Sequence, residues 1–201
     1  MGIFKVDQSI FFEPEGGALS QIKSQITFII GGCRSGKSRY ALELGQQLSE
    51  QDRIFIATCK PRDEEMQQRV AKHQSERDPS WKTMEIPLQI DKTIDDCSLK
   101  GTILLVDCLT LWISNLLLDN QGFKTIVPHI DRLTQSLRNA RGAVILVSNE
   151  VGTGIVPEHE LSRLFRDAVG FTNQQIAACA DEVIWMVAGI PVSIKRLPKS
   201  S

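Results

Sequence analysis

The chain has 201 residues, 42% hydrophobic and 23% charged, with a formal net charge of −1, the make-up of one globular domain with a sizeable core. That near-neutral balance gives no sign of a nucleic-acid partner, and no apolar run approaches the ~20 residues of a membrane-inserted helix. The five cysteines (Cys33, Cys59, Cys97, Cys108 and Cys179) are odd in number and form no C-x-x-C pair, which argues against a disulfide framework or a zinc site and for reduced thiols in a cytoplasmic protein.

Residues 1–25 stand apart as an N-terminal extension. Asp7, Glu13 and Glu15 take the place of the basic stretch that opens a secretory signal, Val6 occupies the position where myristoylation requires Ser or Thr, and Pro14, Gly16 and Gly17 break any regular pattern. From residue 26 onward short apolar runs alternate with helical spacing. The predicted strands are "ITFIIGG" (26–32), "RIFIAT" (53–58), "GTILLVDC" (101–108), "GAVILVSNEVG" (142–152), "EVIWMVAG" (182–189) and a short "VSIKRL". Between them lie predicted helices: one opened by "KSRYALELGQQLSEQ", a polar one over 62–77 with a thin stripe of Met66, Val70 and His73, the run "LTLWISNLLLD", one over roughly 128–140, and a long one over 158–179. Strands apolar throughout and separated by helices predict a mostly parallel sheet with helices on both faces, an α/β fold in a single domain spanning 26–201, and the glycine-rich "GGCRSGKS" after its first strand makes that fold one of the P-loop NTPase type.

The octet "GGCRSGKS" fits G-x-x-x-x-G-K-[ST] and falls between a predicted strand and a predicted helix, the context a phosphate-binding loop requires. Gly31, Gly32, Cys33, Arg34, Ser35, Gly36, Lys37 and Ser38 are therefore nucleotide-binding candidates. Their backbone N–H groups would face phosphate oxygens, Lys37 would meet the β- and γ-phosphates as a catalytic group, and the Ser38 hydroxyl would hold Mg²⁺. Asp107 ends the "ILLVD" strand, where the metal-organising carboxylate of such proteins lies, so Ser38 and Asp107 form the expected metal pair. No N-K-x-D stretch is present, which removes the guanine-reading element of switch GTPases and weighs against a non-catalytic nucleotide switch.

A second feature asks for chemistry. In "RVAKHQSERDPSW", Arg69, His73 and Arg77 recur at i, i+4 and i+8, on one side of a helix. A histidine on a mixed face is ordinarily structural, but two guanidinium groups beside it suit phosphate. Near a nucleotide such a histidine is either a general base or a nucleophile, and the spacing does not choose between them.

Four blocks together carry a family resemblance: "GGCRSGKSRYAL", "RVAKHQSERDPSWKTMEIP", "LLVDCLTLWISNLL" and "SNEVGTGIVPEHELSRLFRDAVGFTNQQIAACADEVIWMVAGIPV". Over about 26–195 the chain resembles the bifunctional adenosylcobinamide kinase/adenosylcobinamide-phosphate guanylyltransferases of cobalamin biosynthesis. The resemblance implies two reactions. In the first, ATP or GTP phosphorylates adenosylcobinamide. In the second, GTP guanylylates a histidine, and GMP passes to adenosylcobinamide phosphate to give adenosylcobinamide-GDP. His73 matches the histidine that carries GMP. Ala57, Thr58 and Cys59 match a nucleotide-contacting stretch, and Gln74, Ser75, Glu76, Arg77, Glu85 and Asp107 match further contacts. A homotrimer is implied as well.

Departures are few. Gln74 stands where relatives often carry a basic residue, Asp78 precedes Pro79 where proline often comes directly, and some relatives have Glu at Asp107. A P-loop kinase of a small metabolite, with His73 a phosphate-binding bystander, is the competing enzyme reading. Asn149 and Glu150 are candidate substrate or subunit contacts, on a loop at the edge where ligands of such sheets bind. His129 and His159 read as helix-start residues, and Trp81, Trp112 and Trp185 as core or interface.

Overall fold

A computed structural model describes residues 24–48, 52–60, 64, 78–120 and 122–196. Strands β1 (Ile26–Gly31), β2 (Arg53–Ala57), β3 (Trp81–Glu85), β4 (Ile103–Asp107), β5 (Ala143–Asn149), β6 (Glu182–Val187) and β7 (Ile190–Arg196) form one sheet in the order β3-β2-β4-β5-β1-β6-β7. Every pairing is parallel except β6 with β7. Among the described residues five helices accompany them: α1 (Lys37–Leu48), α2 (Ile90–Cys97), α3 (Leu109–Asn120), α4 (Phe123–Asn139) and α5 (Glu160–Cys179).

Successive side chains of a strand point to opposite faces, so each apolar run feeds two cores. Ile26, Phe28, Ile56, Leu104, Val106, Val144 and Leu146 pack with α2, α3, α4 and α5 through Ile94, Trp112, Ile130 and Val169. Ile29, Phe55, Ile103, Leu105, Ile145 and Val147 form the second core under α1, which contributes Ala41 with Tyr40, Leu44 and Leu48 at its margin. Gly45 lets α1 sit close: a Cβ there would lie 2.6 Å from the Trp81 ring. The expected two-sided, mostly parallel α/β sheet is the observed one.

The differences from expectation have local causes. β3 and α2 are absent from the sequence reading. "WKTME" is an edge strand, largely exposed beyond Trp81, so it has no apolar run to announce it. "IDKTIDDC" is short and acidic, yet buries Ile90 and Ile94. α4 starts at Phe123 rather than near 128 and carries Pro128 inside, on the exposed side, where solvent can serve the carbonyl that proline's missing N–H leaves. His129 therefore lies within α4, its Nδ1 2.9 Å from Arg132 Nη2. His159 does stand at the N-cap of α5, without a side-chain capping bond. The short sixth strand is longer and antiparallel. Ala188 and Gly189 have φ of 51° and 85°, the two left-handed residues of a tight hairpin turn.

Candidate active site at the carboxyl edge of the sheet

The loop between β1 and α1 turns sharply because two of its residues are left-handed, Arg34 at φ 54° and Gly36 at φ 92°. Such a turn aims successive backbone N–H groups to one side, as an anion site needs. It is also tightly seated. A Cβ at Gly31 would fall 2.5 Å from the Met186 carbonyl oxygen, and one at Gly36 would fall 3.4 Å from the Gly189 Cα. Gly189 N donates to the Ser35 carbonyl at 3.0 Å, so the β6–β7 turn braces the loop from behind. Cys33 and Arg34 are exposed, and Ser38 is half-buried at the start of α1.

Lys37 is buried. Its Nζ donates to the Gly32 carbonyl at 2.6 Å and lies 3.4 Å from Ser35 Oγ. Burial pushes its pKa down, opposed in part by the Asp107 carboxylate. An ammonium drawn out of water beside a carboxylate is poised for an anionic ligand that restores its lost solvation.

The other expected residues collect at the ends of three neighbouring strands. Ala57, last in β2, lies opposite Glu85 of β3 on one side and Asp107 of β4 on the other. Cys59, two residues on, is half-buried, and its thiol is pushed up first by burial and then by Glu85 and Asp107. Asp107 thus acts electrostatically on both Lys37 and Cys59. The Thr58 side chain takes another direction: it is wholly buried, and its hydroxyl donates to the Cys108 carbonyl at 2.7 Å while accepting from Cys108 N at 2.8 Å. Arg69, His73, Gln74, Ser75, Glu76 and Arg77 lie outside the described residues.

Residues with no motif complete the edge. Asn115 Nδ2 donates to the Thr58 carbonyl at 2.8 Å and to the Pro87 carbonyl at 3.1 Å. Thr110 Oγ1 accepts from Asn149 N at 2.8 Å, and Asn173 Nδ2 donates to the Asn149 carbonyl at 3.2 Å. Glu150 N donates to the Gly31 carbonyl at 3.0 Å, while its carboxylate accepts from Gly152 N at 2.5 Å. Asn149 and Glu150 thereby tie the β5 exit to the root of the phosphate loop. Apart from Gly152, their partners lie tens of residues away in sequence, so no local pattern could have shown them.

The exposed thiol on the loop gives a direct probe. Cys108 is buried and its pKa is pushed up to about 12, so it stays protonated at neutral pH, whereas Cys33 is exposed. Limited iodoacetamide at about pH 8, followed by peptide mass spectrometry, is expected to label Cys33 first and Cys108 last, with magnesium–GTP slowing Cys33. Equal labelling of Cys33 and Cys108 would contradict this arrangement of the loop.

Comparison with known proteins agrees with this geometry. The family described as "Cobinamide kinase / cobinamide phosphate guanyltransferase" matches residues 27–194. A relative from Pseudomonas aeruginosa, the bifunctional adenosylcobalamin biosynthesis protein CobP, is 42% identical over 170 residues, covering 85% of this chain and 97% of its own length. The bifunctional adenosylcobalamin biosynthesis protein CobU of Escherichia coli is 38% identical, over 83% of this chain and 98% of its own length. Among solved structures, the flagellar accessory protein FlaH from Methanocaldococcus jannaschii superposes with a TM-score of 0.50 at 14% identity, covering 87% of this chain and 80% of that one, a likeness of fold alone.

Proposed function

The chain belongs to the cobinamide kinase/cobinamide phosphate guanyltransferase family, a bifunctional kinase and guanylyltransferase of cobalamin biosynthesis, and on that premise we propose how its residues divide the two reactions. The observation that carries the proposal is the phosphate loop, with Lys37 buried in it and bonded to the Gly32 carbonyl, at the sheet edge where β4 ends in Asp107.

In the kinase step the loop N–H groups and Lys37 hold the β- and γ-phosphates of ATP or GTP. The substrate hydroxyl of adenosylcobinamide attacks the γ-phosphorus, and the nucleoside diphosphate leaves. In the transfer step an imidazole nitrogen of His73 attacks the α-phosphorus of GTP and releases pyrophosphate. A phosphate oxygen of adenosylcobinamide phosphate then takes the GMP, the His73–phosphorus bond breaks, and adenosylcobinamide-GDP results. Arg69 and Arg77 bear the phosphate charge around His73. Glu85, Cys59 and residues 74–77 complete the nucleotide contacts, with Ala57 at the end of β2 beside them.

The donor set at Ser38 and Asp107, one hydroxyl and one carboxylate, is the hard-oxygen chemistry that suits Mg²⁺. Ser38 and Asp107 would hold such an ion, which with nucleotide bound would supply neutralisation of phosphate charge. Among the described residues no group of three or more His, Cys, Asp or Glu could hold a metal by itself, which fits an ion shared with a nucleotide.

We place the protein in the cytoplasm, in keeping with its free cysteines, and no helix among the described residues is long and apolar enough to cross a membrane. We also propose a homotrimer. Trp185 faces Val192 and Val187 faces Ile190 across the β6–β7 hairpin, and these four with Ile194 are 43–62% exposed, an apolar strip of the kind that marks a subunit contact.

The experiment that tests the function is incubation of the purified protein with adenosylcobinamide and γ- or α-labelled nucleotide, expecting labelled adenosylcobinamide phosphate from the first and labelled adenosylcobinamide-GDP from GTP in the second. Product in the first incubation alone would leave the kinase-only reading.

Residues 1–25 are expected to be dispensable. The family match begins at residue 27, and among the described residues the chain joins the sheet where Gln25 O accepts from Val144 N at 2.9 Å, while Ile26 N donates to Asp181 Oδ2 at 2.7 Å. A protein starting at Gln25 after its initiator methionine should keep both activities and its oligomeric mass in light scattering. Loss of either by a folded protein would give the extension a role.

A further inference from the structure

We propose that Thr58, backed by Asn115, is a positioning residue that fixes the Asp107 carboxylate for both reactions; this rests on the reading of Asp107 as the metal-organising group. Thr58 follows the last residue of β2, and its side chain is wholly buried. Two of its atoms, through three hydrogen bonds, hold the chain that leaves β4. Thr58 N donates to the Asp107 carbonyl at 3.2 Å, and Oγ1 serves Cys108 twice, as donor to its carbonyl at 2.7 Å and as acceptor from its N–H at 2.8 Å. The backbone that follows the Asp107 side chain, from its own carbonyl to that of Cys108, is thus tied to one threonine, 50 residues from Cys108 in sequence.

Thr58 is itself held. Asn115, on the inner side of α3, donates through Nδ2 to the Thr58 carbonyl at 2.8 Å and to the Pro87 carbonyl at 3.1 Å. Ile86 N donates to the Ala57 carbonyl at 2.8 Å. The exits of β2, β3 and β4 and the first turns of α3 are therefore one hydrogen-bonded unit in a water-poor setting. Removing the hydroxyl leaves two buried backbone groups without their partner, and the strand end must shift to satisfy them. Asp107 moves with it, and a displacement of about 1 Å at a catalytic carboxylate can cost a hundredfold in rate. A serine keeps the hydroxyl and loses only a methyl.

The test compares Thr58→Val, Thr58→Ser and Asp107→Asn in the full-length protein. Kinase and GMP-transfer rates are measured against Mg²⁺ concentration at saturating nucleotide, with thermal unfolding in parallel. Thr58→Val is expected to lower kcat of both steps at least about tenfold and to raise the half-saturating Mg²⁺, with Thr58→Ser close to the parent. Thr58→Val with the parent's Mg²⁺ dependence, while Asp107→Asn is impaired, overturns the positioning role alone. An unimpaired Asp107→Asn overturns the metal reading and the positioning role with it. If Thr58→Val does not fold, Asn115→Leu is read instead: a higher half-saturating Mg²⁺ supports the proposal, and the parent's value overturns it.

Discussion

Lys37→Ala is expected to lose both activities, each by a hundredfold or more. The two reactions break different bonds, at the γ-phosphorus and at the α-phosphorus, but both develop charge on phosphate oxygens held by the same loop. Lys37 is buried, bonded to the Gly32 carbonyl at 2.6 Å, and carries the one ammonium that α1 delivers into the turn. Removing one such charged donor from a water-excluded site costs about a hundredfold to a thousandfold in rate. Fold stability should change little in the same variant, because a buried ammonium with a burial-lowered pKa is itself costly to keep. Unfolding at the parent's temperature with both rates gone is the expected pair of results. Unchanged turnover of either step would remove the loop from that step.

What the sequence made legible is what depends on local spacing. The phosphate loop is eight consecutive residues, and a strand before it with a helix after it is enough to place it. β1, β2, β4 and β5 were legible because burial on both faces writes an unbroken apolar run. β3 was not, since an edge strand with one buried tryptophan has no such run. The same limit hides the Thr58–Cys108 and Asn149–Thr110 pairs, whose members meet only once the strands are in register. Thr58 shows the limit most plainly: its hydroxyl is committed to the backbone of Cys108, 50 residues on, which no local spacing displays. Trp185 was read as core or interface, and it lies exposed on the edge hairpin while Trp81 and Trp112 are core. The Arg69–His73–Arg77 spacing announced phosphate chemistry without deciding between base and nucleophile, and the family resemblance supplied the choice.

That choice sets the second large effect. His73→Ala is expected to lose GMP transfer while keeping much of the phosphorylation of adenosylcobinamide, because the kinase step sends the γ-phosphate straight to a substrate hydroxyl and needs no protein nucleophile. Attack by imidazole requires a neutral ring nitrogen, and flanking guanidinium groups disfavour the protonated ring while bearing the charge of the leaving pyrophosphate. A loss of both steps in a variant that still folds and binds nucleotide would make His73 a shared base or binding group.

The central measurement is incubation with GTP labelled on the α-phosphate, followed by a denaturing gel of the parent and of His73→Ala. The account predicts a covalent label on the parent that is lost in acid and survives alkali, as a phosphoramidate does, and no label on His73→Ala. Label retained on His73→Ala would contradict it, since another residue would then carry the GMP.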